Sequence, residues 1–482
     1  MTELSRLKTA PARDGDRFFL LRRQLRRAWR SWRRGGDGPL EGDVRRDLPA
    51  DDLALVRRQI DACLAARGGA VSARATAADL GRAYLSLNDA GKARFFDLLV
   101  ERYDTDTAAV KEAAAAILAA DDVAVLAAAE ARMSEALEPP RVRLLKEFNG
   151  LEEGVKYLVD MRGDLLAMPP SDKDIRRRKF DREFRDLLAS WFDVGFLELR
   201  RITWDAPAAL LEKLVVYEAV HEIRSWADLK DRLDSDRRCY AFFHPNMPNE
   251  PLIFVEVALV ARMADSIDAL LDENRPATNP EDADTAVFYS ISNAQKGLSG
   301  VSFGGFLIKQ VVTELARDFP NIKTFATLSP VPGFRRWLTR GIAKGEIVLE
   351  TEDAAVLARA TGTGDPAALA ALFEQGSWMD DTALAGAMRP VLMHLCAGYL
   401  LSTQPARGGG VRAADGVAHF HLSNGARIER LNWLADRSEK GRAQSAGMMV
   451  NYLYKLADIE CNHENYKGTG KIRSSAAIKA LA

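Results

Sequence analysis

A glycine-rich turn between a strand-like run and a helical run is the clearest candidate for ligand chemistry in this sequence. The run 287–292 has strand character, the turn occupies 295–305, and helical periodicity begins at Phe306. Backbone N–H groups at a helix N-terminus lie at the positive end of the helix dipole, where phosphate groups bind. The turn has neither the Gly-x-Gly-x-x-Gly nor the Walker spacing of nucleotide-binding proteins. It indicates a phosphate-binding turn or, alternatively, a tight turn with close helix packing.

The spacing of this turn also suggests a fold. Gln295-x-x-Leu298-x-Gly300 resembles the Gln/Arg-x-x-Gly-x-Gly/Ala loop with which the GNAT (N-acetyltransferase-like) fold holds the pyrophosphate of coenzyme A, except that leucine replaces the first glycine. In that fold another strand follows the helix, and here the run 322–328 ends at Ser329. Open sheets bind ligands at strand ends, so Ser329 is a candidate site residue. The alternative is a turn serine ahead of a proline.

Histidine is the side chain best suited to proton transfer near neutral pH, and the chain has six of them. We predict a β-hairpin over 420–431 around its Asn-Gly pair. His419 and His421 are two residues apart at its first strand, so both should face the same side of that strand. With Cys461 and His463 they could begin a zinc site, but the spacing matches no standard zinc pattern. We therefore expect a proton-transfer histidine or a structural one, and no metal.

The elements around these residues indicate an α plus α/β protein in three parts. Helical runs are predicted at 77–86, 88–103, 106–120, 122–137, 140–162 and 172–191. Strand-like runs then alternate with helices, at 239–243, 252–259, 286–292 and 322–328, and a last helix is predicted over 438–456. We predict a basic N-terminal extension (1–50), a helical bundle that serves as scaffold or assembly domain (51–192) and a catalytic α/β domain (193–482).

Composition excludes several classes of protein. Hydrophobic residues make up 47% and charged residues 28%, and 67 basic against 68 acidic residues leave a net charge of −1. Attraction of the whole protein to nucleic acid is therefore not supported. The strongest apolar run, 252–260, is strand-sized and contains a glutamate, so neither a transmembrane helix nor stable membrane insertion is expected. Four cysteines in 482 residues do not form a disulfide framework, and we expect reduced thiols.

The N-terminal extension has a composition of its own. Eight arginines and no acidic residue lie between Arg17 and Arg34, with Trp29 and Trp32 on another face of the helical pattern. Such a segment could lie on a membrane surface, contact phosphate or resemble an organelle-targeting peptide. The alternative is a tail that packs its tryptophans against a neighbouring domain or subunit.

Several long segments resemble the malonyl-CoA decarboxylase family, in the order in which the family carries them. They are His244–Pro251, Phe288–Ser292 with Gly297–Val301, Thr327–Phe334, His421–Ala426, Leu431–Asp436 and Gly447–Tyr454. The resemblance covers roughly residues 80–470 and suggests a bacterial-type member. It implies a helical N-terminal domain that mediates assembly, as a homotetramer or a dimer of dimers, and a GNAT-like catalytic domain. It also implies conversion of malonyl-CoA to acetyl-CoA and CO2 without metal or other cofactor, coenzyme A being part of the substrate.

The resemblance also implies which residues form the site. Ser329 matches the serine of the family's Ser-Pro-x-Pro-Gly motif, and His421, rather than His419, matches the histidine of His-Leu-x-Asn-Gly. Residues matching the CoA-contacting segment or lining the site are Ser299, Gly300, Val301, Ser302, Phe303, Gly304, Gly305, Ser290 and Tyr454. Ser302 stands where some relatives carry a carboxylate, so an acid that orients the histidine is missing or supplied elsewhere. The C-terminus, Ile478–Ala482, lacks the Ser-Lys-Leu peroxisomal address, which favours a bacterial cytoplasmic enzyme.

Two other classes of function remain open at this stage. An acyl-CoA-dependent N-acyltransferase on the same fold would need an amine-acceptor groove and a base. A helical scaffold or phosphate-binding module that uses residues 17–34 would show salt-sensitive binding to RNA or anionic lipid. The scaffold hypothesis accounts for none of the motifs in the C-terminal half.

Overall fold

The computed structural model describes residues 44–65, 69–151, 153–169, 174–192, 194–301, 306–406 and 409–482. The arginine-rich segment 17–34 lies outside these residues, so its role stays a prediction. The chain forms two compact units. The first comprises the chain up to Phe196 together with His244–Glu250 and Gln295–Ser302, and the second comprises the remainder.

The first unit is helical, as the periodicity predicts. Its helices are α1 (Ala50–Ala65), α2 (Gly69–Ser86), α3 (Asp89–Arg102), α4 (Thr107–Ala119), α5 (Val123–Leu137), α6 (Pro140–Asn149), α7 (Gly154–Leu166) and α8 (Asp174–Trp191). The side chains of Asn88, Asp106 and Asp122 accept hydrogen bonds from the first turns of α3, α4 and α5. Because a cap satisfies N–H groups that the helix cannot pair internally, these residues set where the three helices begin.

One predicted helix of this unit is two helices. The periodicity at 140–162 continues through the break between α6 and α7, but Gly150 and Gly154 interrupt the chain there. A Cβ atom at Gly154 would lie 2.1 Å from the carbonyl oxygen of Phe148. The chain therefore turns sharply at a point where only glycine fits, and the apolar pattern alone could not reveal the turn.

Aromatic side chains fill the core of the first unit. Tyr84 meets Phe95 edge-on at a centroid distance of 5.1 Å and Tyr157 at 5.9 Å, and Tyr157 meets Phe148 at 5.3 Å. Such edge-to-face pairs contribute about 0.5–1.5 kcal/mol beyond the burial of their area. They tie α2, α3, α6 and α7 into one core.

The second unit is built on a mixed eight-stranded sheet. Its strands are β1 (Glu198–Ile202), β2 (Arg237–Phe243), β3 (Ile253–Val260), β4 (Thr285–Asn293), β5 (Thr324–Thr327), β6 (Ser329–Pro330), β9 (Arg427–Asn432) and β10 (Met449–Leu453), and a separate ribbon contains β7 (Thr403–Pro405) and β8 (Val411–Ala413). The spatial order is β1-β2-β3-β4-β5-β10-β6, with β9 also paired to β10. The predicted strands β2 to β5 are confirmed, as is the strand predicted at 427–431, which is β9. The other strands were not predicted.

Helices connect these strands. They are α9 (Ala208–Tyr217), α10 (Trp226–Asp231), α11 (Ile267–Leu270), α12 (Phe306–Asp318), α13 (Phe334–Ala343), α14 (Thr351–Thr361), α15 (Ala367–Gln375), α16 (Thr382–Leu401), α17 (Gly416–Ser423), α18 (Glu439–Ser445), α19 (Ile459–Thr469) and α20 (Ala476–Leu481). The helix α12 joins β4 to β5, which is why these two strands can run parallel. The strand predicted before the glycine-rich turn and the helix predicted after it are therefore confirmed.

Pairing between β4 and β5 stops part of the way along the strands. The last paired residues are Phe288 of β4 and Thr327 of β5, where β5 ends. Beyond this point β4 stays paired to β3 as far as Asn293, and Tyr289 forms a bulge in that ladder. Bulges re-aim strands and are over-represented next to active sites. The strand pairing with β4 thus ends with β5, and the chain continues as β6.

The predicted hairpin over 420–431 is wrong in its first strand, which is the helix α17. Asp415 accepts hydrogen bonds from Val417 and Ala418 and so starts this helix, and the N–H of Ala426 donates to the carbonyl of His421. Gly425 adopts a φ of +82°. The Asn-Gly pair that favours a hairpin turn therefore forms the left-handed C-cap of a helix instead, because both structures need the same positive φ.

The predicted helix over 438–456 is also corrected. Only α18 is helical there, and it ends where Ala446 adopts a φ of +50° and Gly447 a φ of +75°. The chain then continues as β10, whose residues are almost fully buried. An apolar run that is buried on both faces carries no period-2 signal, so sequence alone could not separate it from a helix.

The helix α16 is the one described helix that is long and apolar enough to cross a membrane by length and composition. Half of its most apolar window is buried inside the protein. His394 on α16 is hydrogen-bonded to Asp353 of α14, with 2.6 Å between Nδ1 and Oδ2. We interpret α16 as a core helix of the second unit.

Candidate active site

Ser329 lies at the break between β5 and β6. Leu328, between the two strands, donates its backbone N–H to the carbonyl of Phe288 at 2.9 Å, and Ser329 then pairs with Val450 of β10. The hydroxyl of Ser329 donates to Oγ1 of Thr327 at 2.9 Å. Because residues two apart on an extended chain share a face, the break keeps the two hydroxyl groups together. Ser329 is only 7% exposed.

His421 approaches Ser329 from α17. Its Nε2 lies 3.1 Å from Oγ of Ser329, although 92 residues separate the two in sequence. The helix that carries the imidazole is held at its N-terminus by Asp415, whose carboxylate also accepts hydrogen bonds from Gly333 and Tyr399. The structure thus brings together the two residues that the resemblance implies to be catalytic.

Two tyrosines of the β10 segment hold the imidazole ring. Tyr452 stacks on it with 4.4 Å between ring centroids and 24° between planes. The Oη of Tyr454 lies 2.8 Å from Nδ1 of His421. Tyr452 and Tyr454 are two apart on extended chain, so both side chains point to the same face. The ring is fixed in its plane by the stacking and in its rotation by the hydrogen bond.

The hydrogen bonds favour one tautomer of the imidazole. The hydroxyl of Ser329 uses its single proton on Thr327, so it accepts from Nε2 of His421, and Nδ1 accepts from the hydroxyl of Tyr454. If Nδ1 carried the proton instead, the buried hydroxyl proton of Tyr454 would have no acceptor among the described residues, at a cost of about 1–3 kcal/mol. Thr327 accepts a second hydrogen bond from the N–H of Tyr452 at 3.1 Å. A directed chain therefore runs from Tyr454 through His421 and Ser329 to Thr327.

Burial controls the charge of this group. It lowers the pKa of His421 from 6.5 to about 3, because the charged imidazolium loses its hydration inside the protein. Burial likewise raises the pKa of Tyr452 and Tyr454 well above 10.0. All three side chains are neutral at physiological pH, which agrees with the directed hydrogen-bond chain.

The lowered pKa of His421 makes a prediction about stability. Between about pH 3 and about pH 6.5 the unfolded chain binds a proton at this position and the folded chain does not, so acidification through this range destabilises the folded state. His421→Asn removes this contribution. The free energy of unfolding of the wild type, minus that of the variant, should therefore fall between about pH 7 and about pH 4.5, as measured by urea denaturation. A difference independent of pH would contradict the neutral, buried imidazole.

The CoA-contacting residues predicted from the family motif lie in the first unit as far as they are described. Ser299, Gly300 and Val301 follow a short 3-10 turn, Lys296–Leu298, whereas residues 302–305 lie outside the described residues. The N–H of Val301 donates to the carbonyl of Leu298 at 2.9 Å, and Gly300 has a φ of +77°. Leu298, the departure from the GNAT spacing, is fully buried.

The hydrogen bonds of Ser290 do not connect it to the group around His421. Its hydroxyl lies 2.9 and 2.8 Å from the two carboxylate oxygens of Glu218, and 3.2 Å from the hydroxyl of Ser292. Glu218 also accepts hydrogen bonds from the backbone of Val220 and His221. Ser290 therefore anchors the chain after α9 to β4, and its suggested place in the site stays a prediction.

Sequence reasoning did not identify Thr327 and Tyr452. Thr327 lies two residues before Ser329 and Tyr452 two residues before Tyr454, so the period of an extended chain was the signal that could have found both. For Tyr452 the signal also needed β10, whose apolar run the sequence pattern predicts to be helical.

The histidines considered as zinc ligands have other partners. Nδ1 of His419 lies 2.8 Å from Oη of Tyr466, and Nδ1 of His463 lies 2.6 Å from the carbonyl oxygen of Ser423. Within the part of the chain that the structure describes, no cluster of three histidine, cysteine or acidic residues could hold a metal ion. These two histidines tie α17 to α19.

Known proteins similar to this chain identify its family. The family model for the malonyl-CoA decarboxylase C-terminal domain matches residues 195–482, and that for the N-terminal domain matches residues 103–192. Mitochondrial malonyl-CoA decarboxylase of Anser anser anser is 38% identical over 403 residues, which cover 80% of this chain and 79% of that protein. The enzyme of Rattus norvegicus is 37% identical over 409 residues, covering 81% of this chain and 82% of that protein.

Solved structures of bacterial enzymes are also similar. The crystal structure of malonyl-CoA decarboxylase from Rhodopseudomonas palustris is 42% identical, with a TM-score of 0.79, and covers 89% of this chain and 99% of that chain. The corresponding structure from Agrobacterium vitis is also 42% identical, with a TM-score of 0.78, and covers 88% of this chain and 99% of that chain. Family models and relatives together span both units, so the chain belongs to the malonyl-CoA decarboxylase family and is a carboxy-lyase.

Proposed function

We propose that this enzyme decarboxylates malonyl-CoA to acetyl-CoA and CO2 with Ser329 and His421 as its reacting pair. The observation that carries the proposal is the buried hydrogen bond of 3.1 Å between Oγ of Ser329 and Nε2 of His421, in a chain of this family. Each side chain also has a second hydrogen bond, Ser329 with Thr327 and His421 with Tyr454. A nucleophile or acid that is oriented by a second hydrogen bond is typical of a preorganised catalytic group.

The reaction itself defines what the pair must do. The bond between carbon 2 and the malonyl carboxylate carbon breaks, its electron pair becomes the enolate of the thioester, and CO2 leaves. Carbon 2 then takes up one proton, so each turnover consumes one proton from solvent. The enzyme must stabilise the charge on the thioester oxygen and deliver the proton to carbon 2.

The proposal assigns the first task to Ser329. Its hydroxyl proton can turn from Thr327 to the thioester oxygen, while Nε2 of His421 continues to hold Oγ. A donor aimed at a developing oxyanion in a site without water contributes about 10²–10³-fold to kcat. Thr327 keeps the hydroxyl aligned until substrate binds.

The second task is assigned to His421. The proton on Nε2 passes to carbon 2, and the hydroxyl proton of Tyr454 can follow onto Nδ1. The ring then stays neutral, and Tyr454 is left as a transient tyrosinate, which readily takes up a proton because burial raises its pKa well above 10.0. A proton from solvent restores Tyr454 and balances the reaction.

Binding of the coenzyme A part is proposed for the turn that includes Ser299–Gly305. The turn leads into α12, and free N–H groups at a helix N-terminus favour phosphate. The strand order supports a GNAT-like fold for the catalytic domain, because β4 and β5 form a parallel pair around α12 and β10 lies between β5 and β9. In such sheets ligands bind where strand order or pairing changes.

Three further properties are proposed from the family resemblance. The enzyme uses no metal or prosthetic group, and the helical domain, over 51–192, assembles the chain as a homotetramer or dimer of dimers. It acts in the cytoplasm. Multi-angle light scattering of the purified protein tests the assembly, and cell fractionation tests the location; a monomer or a membrane-bound pool would contradict the respective proposal.

The assay that tests the function supplies purified protein with malonyl-CoA in the presence of EDTA and measures CO2 and acetyl-CoA. We expect both products in equal amounts. Activity that EDTA abolishes would overturn the metal-free mechanism. Acyl transfer to an added amine without release of CO2 would identify the N-acyltransferase alternative.

A further inference from the structure

The turn that carries Ser299 and Gly300 is packed against α7 within the first unit. A Cβ atom added at Gly297 would lie 1.7 Å from the carbonyl oxygen of Val159, and one added at Gly163 would lie 3.6 Å from the backbone nitrogen of Gly297. The backbones of the turn and the helix are therefore in direct contact, and only glycine fits at position 297. The conformation of the turn depends on this helix.

Arg162 of α7 is hydrogen-bonded to the turn. Its Nη1 donates to the carbonyl oxygen of Gly297 at 2.7 Å and to that of Ser299 at 2.8 Å. Its Nε donates to the carboxylate of Asp181 on α8 at 2.9 Å. The arginine side chain is 2% exposed. A buried charge without partners is costly, so the carboxylate and the two carbonyl acceptors stabilise the guanidinium in this position.

The hydrogen bond to Ser299 determines a peptide plane. Ser299 has φ −55° and ψ 127°, Gly300 has φ +77°, and Val301 bonds to Leu298, which together define a type II turn. A trans peptide places its C=O and N–H on opposite sides. Because the carbonyl of Ser299 points to Arg162, the N–H of Gly300 points away from it.

The N–H of Gly300 is available to a ligand. Among the described residues it has no hydrogen-bond acceptor, and Gly300 is exposed. A type I turn over the same residues would rotate this peptide plane by about 180°, turning that N–H inward. Arg162 stabilises the type II form because only that form offers it the Ser299 carbonyl.

We propose that Arg162 is a positioning residue for substrate binding: it fixes the Ser299–Gly300 peptide so that the N–H of Gly300 is presented to a phosphate of the coenzyme A part. The inference rests on the proposed function, because it takes the phosphate to belong to malonyl-CoA. The aliphatic part of Arg185 lies beside this point, since its Cδ would be 3.6 Å from a Cβ atom at Gly300, while its guanidinium pairs with Asp186.

The test compares two substrates and three variants. Malonyl-CoA carries the phosphates, whereas malonyl-pantetheine is the same thioester without them. Arg162→Met removes the guanidinium and its hydrogen bonds to the turn. Arg162→Lys keeps the positive charge beside Asp181 but cannot reproduce the geometry of the guanidinium. Arg177→Met is the matched control, since Arg177 pairs with Asp97 at 2.7 Å between α8 and α3 and does not contact the turn.

Arg162→Met should raise the KM for malonyl-CoA about 10-fold, the loss expected for one charge-assisted hydrogen-bonded contact, while kcat changes little. The KM of Arg162→Lys for malonyl-CoA should lie between that of Arg162→Met and that of the wild type. Neither substitution should change kcat/KM for malonyl-pantetheine, and Arg177→Met should leave both substrates unaffected. Equal losses on the two substrates would show a merely structural role and overturn the inference.

Failure of the inference is separable from failure of the proposed function. If the wild type releases CO2 from malonyl-CoA but Arg162→Met leaves its KM unchanged, the positioning role is wrong and the decarboxylase function stands. If the wild type releases no CO2, calorimetric titration of wild type and variants with CoA still tests whether Arg162 supports phosphate binding. Equal affinities there would overturn the inference as well.

Discussion

His421→Asn should lower kcat for malonyl-CoA by about 10²–10⁴-fold, the range that a positioned proton donor contributes. The substitution removes Nε2, which holds Ser329 at 3.1 Å and carries the proton proposed for carbon 2. The affinity for CoA should change little, because the phosphates are bound by a different part of the chain. Stopped-flow measurement of acetyl-CoA formation together with calorimetric titration with CoA separates the two effects.

His419→Asn is the matched control for this variant. His419 lies on the same helix, α17, and its Nδ1 binds Oη of Tyr466 at 2.8 Å, outside the Ser329 chain. It should lose some thermal stability and keep nearly all of its turnover. Turnover like that of the wild type in His421→Asn would refute the catalytic assignment, and an equal loss in both variants would show that α17 matters only as a structural element.

Ser329→Ala should lower kcat by about 10²–10³-fold, as expected for removal of one oxyanion donor. The buried Nε2 proton of His421 loses its acceptor, while Thr327 keeps its hydrogen bond from the N–H of Tyr452. The local backbone should therefore survive the substitution. Steady-state kinetics and a thermal melt of the same preparation measure the two consequences.

Ser445→Ala controls for the loss of a buried serine. Oγ of Ser445 accepts a hydrogen bond from the N–H of Val331 at 3.1 Å and has no partner in the His421 chain. It should lower the melting temperature and leave kcat nearly intact. The double variant Ser329→Ala/His421→Asn should be no slower than the slower single variant, because groups that act as a unit are not additive. Fully multiplicative losses would argue against a common step.

Much of the architecture was predictable because it follows from local chemistry. Helical periodicity and caps such as Asp106 and Asp122 act over a few residues, so most helices of the first unit were correctly predicted. The errors occurred where one local signal fits two structures. Gly425 can serve a hairpin or a helix C-cap, and the apolar run of β10 can be a helix or a buried strand.

The sequence by itself determined most helices of the first unit, the strands β2 to β5 and, through the family motifs, the candidates Ser329 and His421. Only the tertiary structure decided that Ser329 meets His421, that Thr327 and Tyr454 orient this pair, and that Arg162 holds the turn at Ser299. These partners are 92 residues apart for Ser329 and His421, and 137 for Arg162 and Ser299. Local patterns report the preferences of neighbouring residues, whereas contacts across such separations depend on how whole elements pack, which no short stretch of sequence encodes.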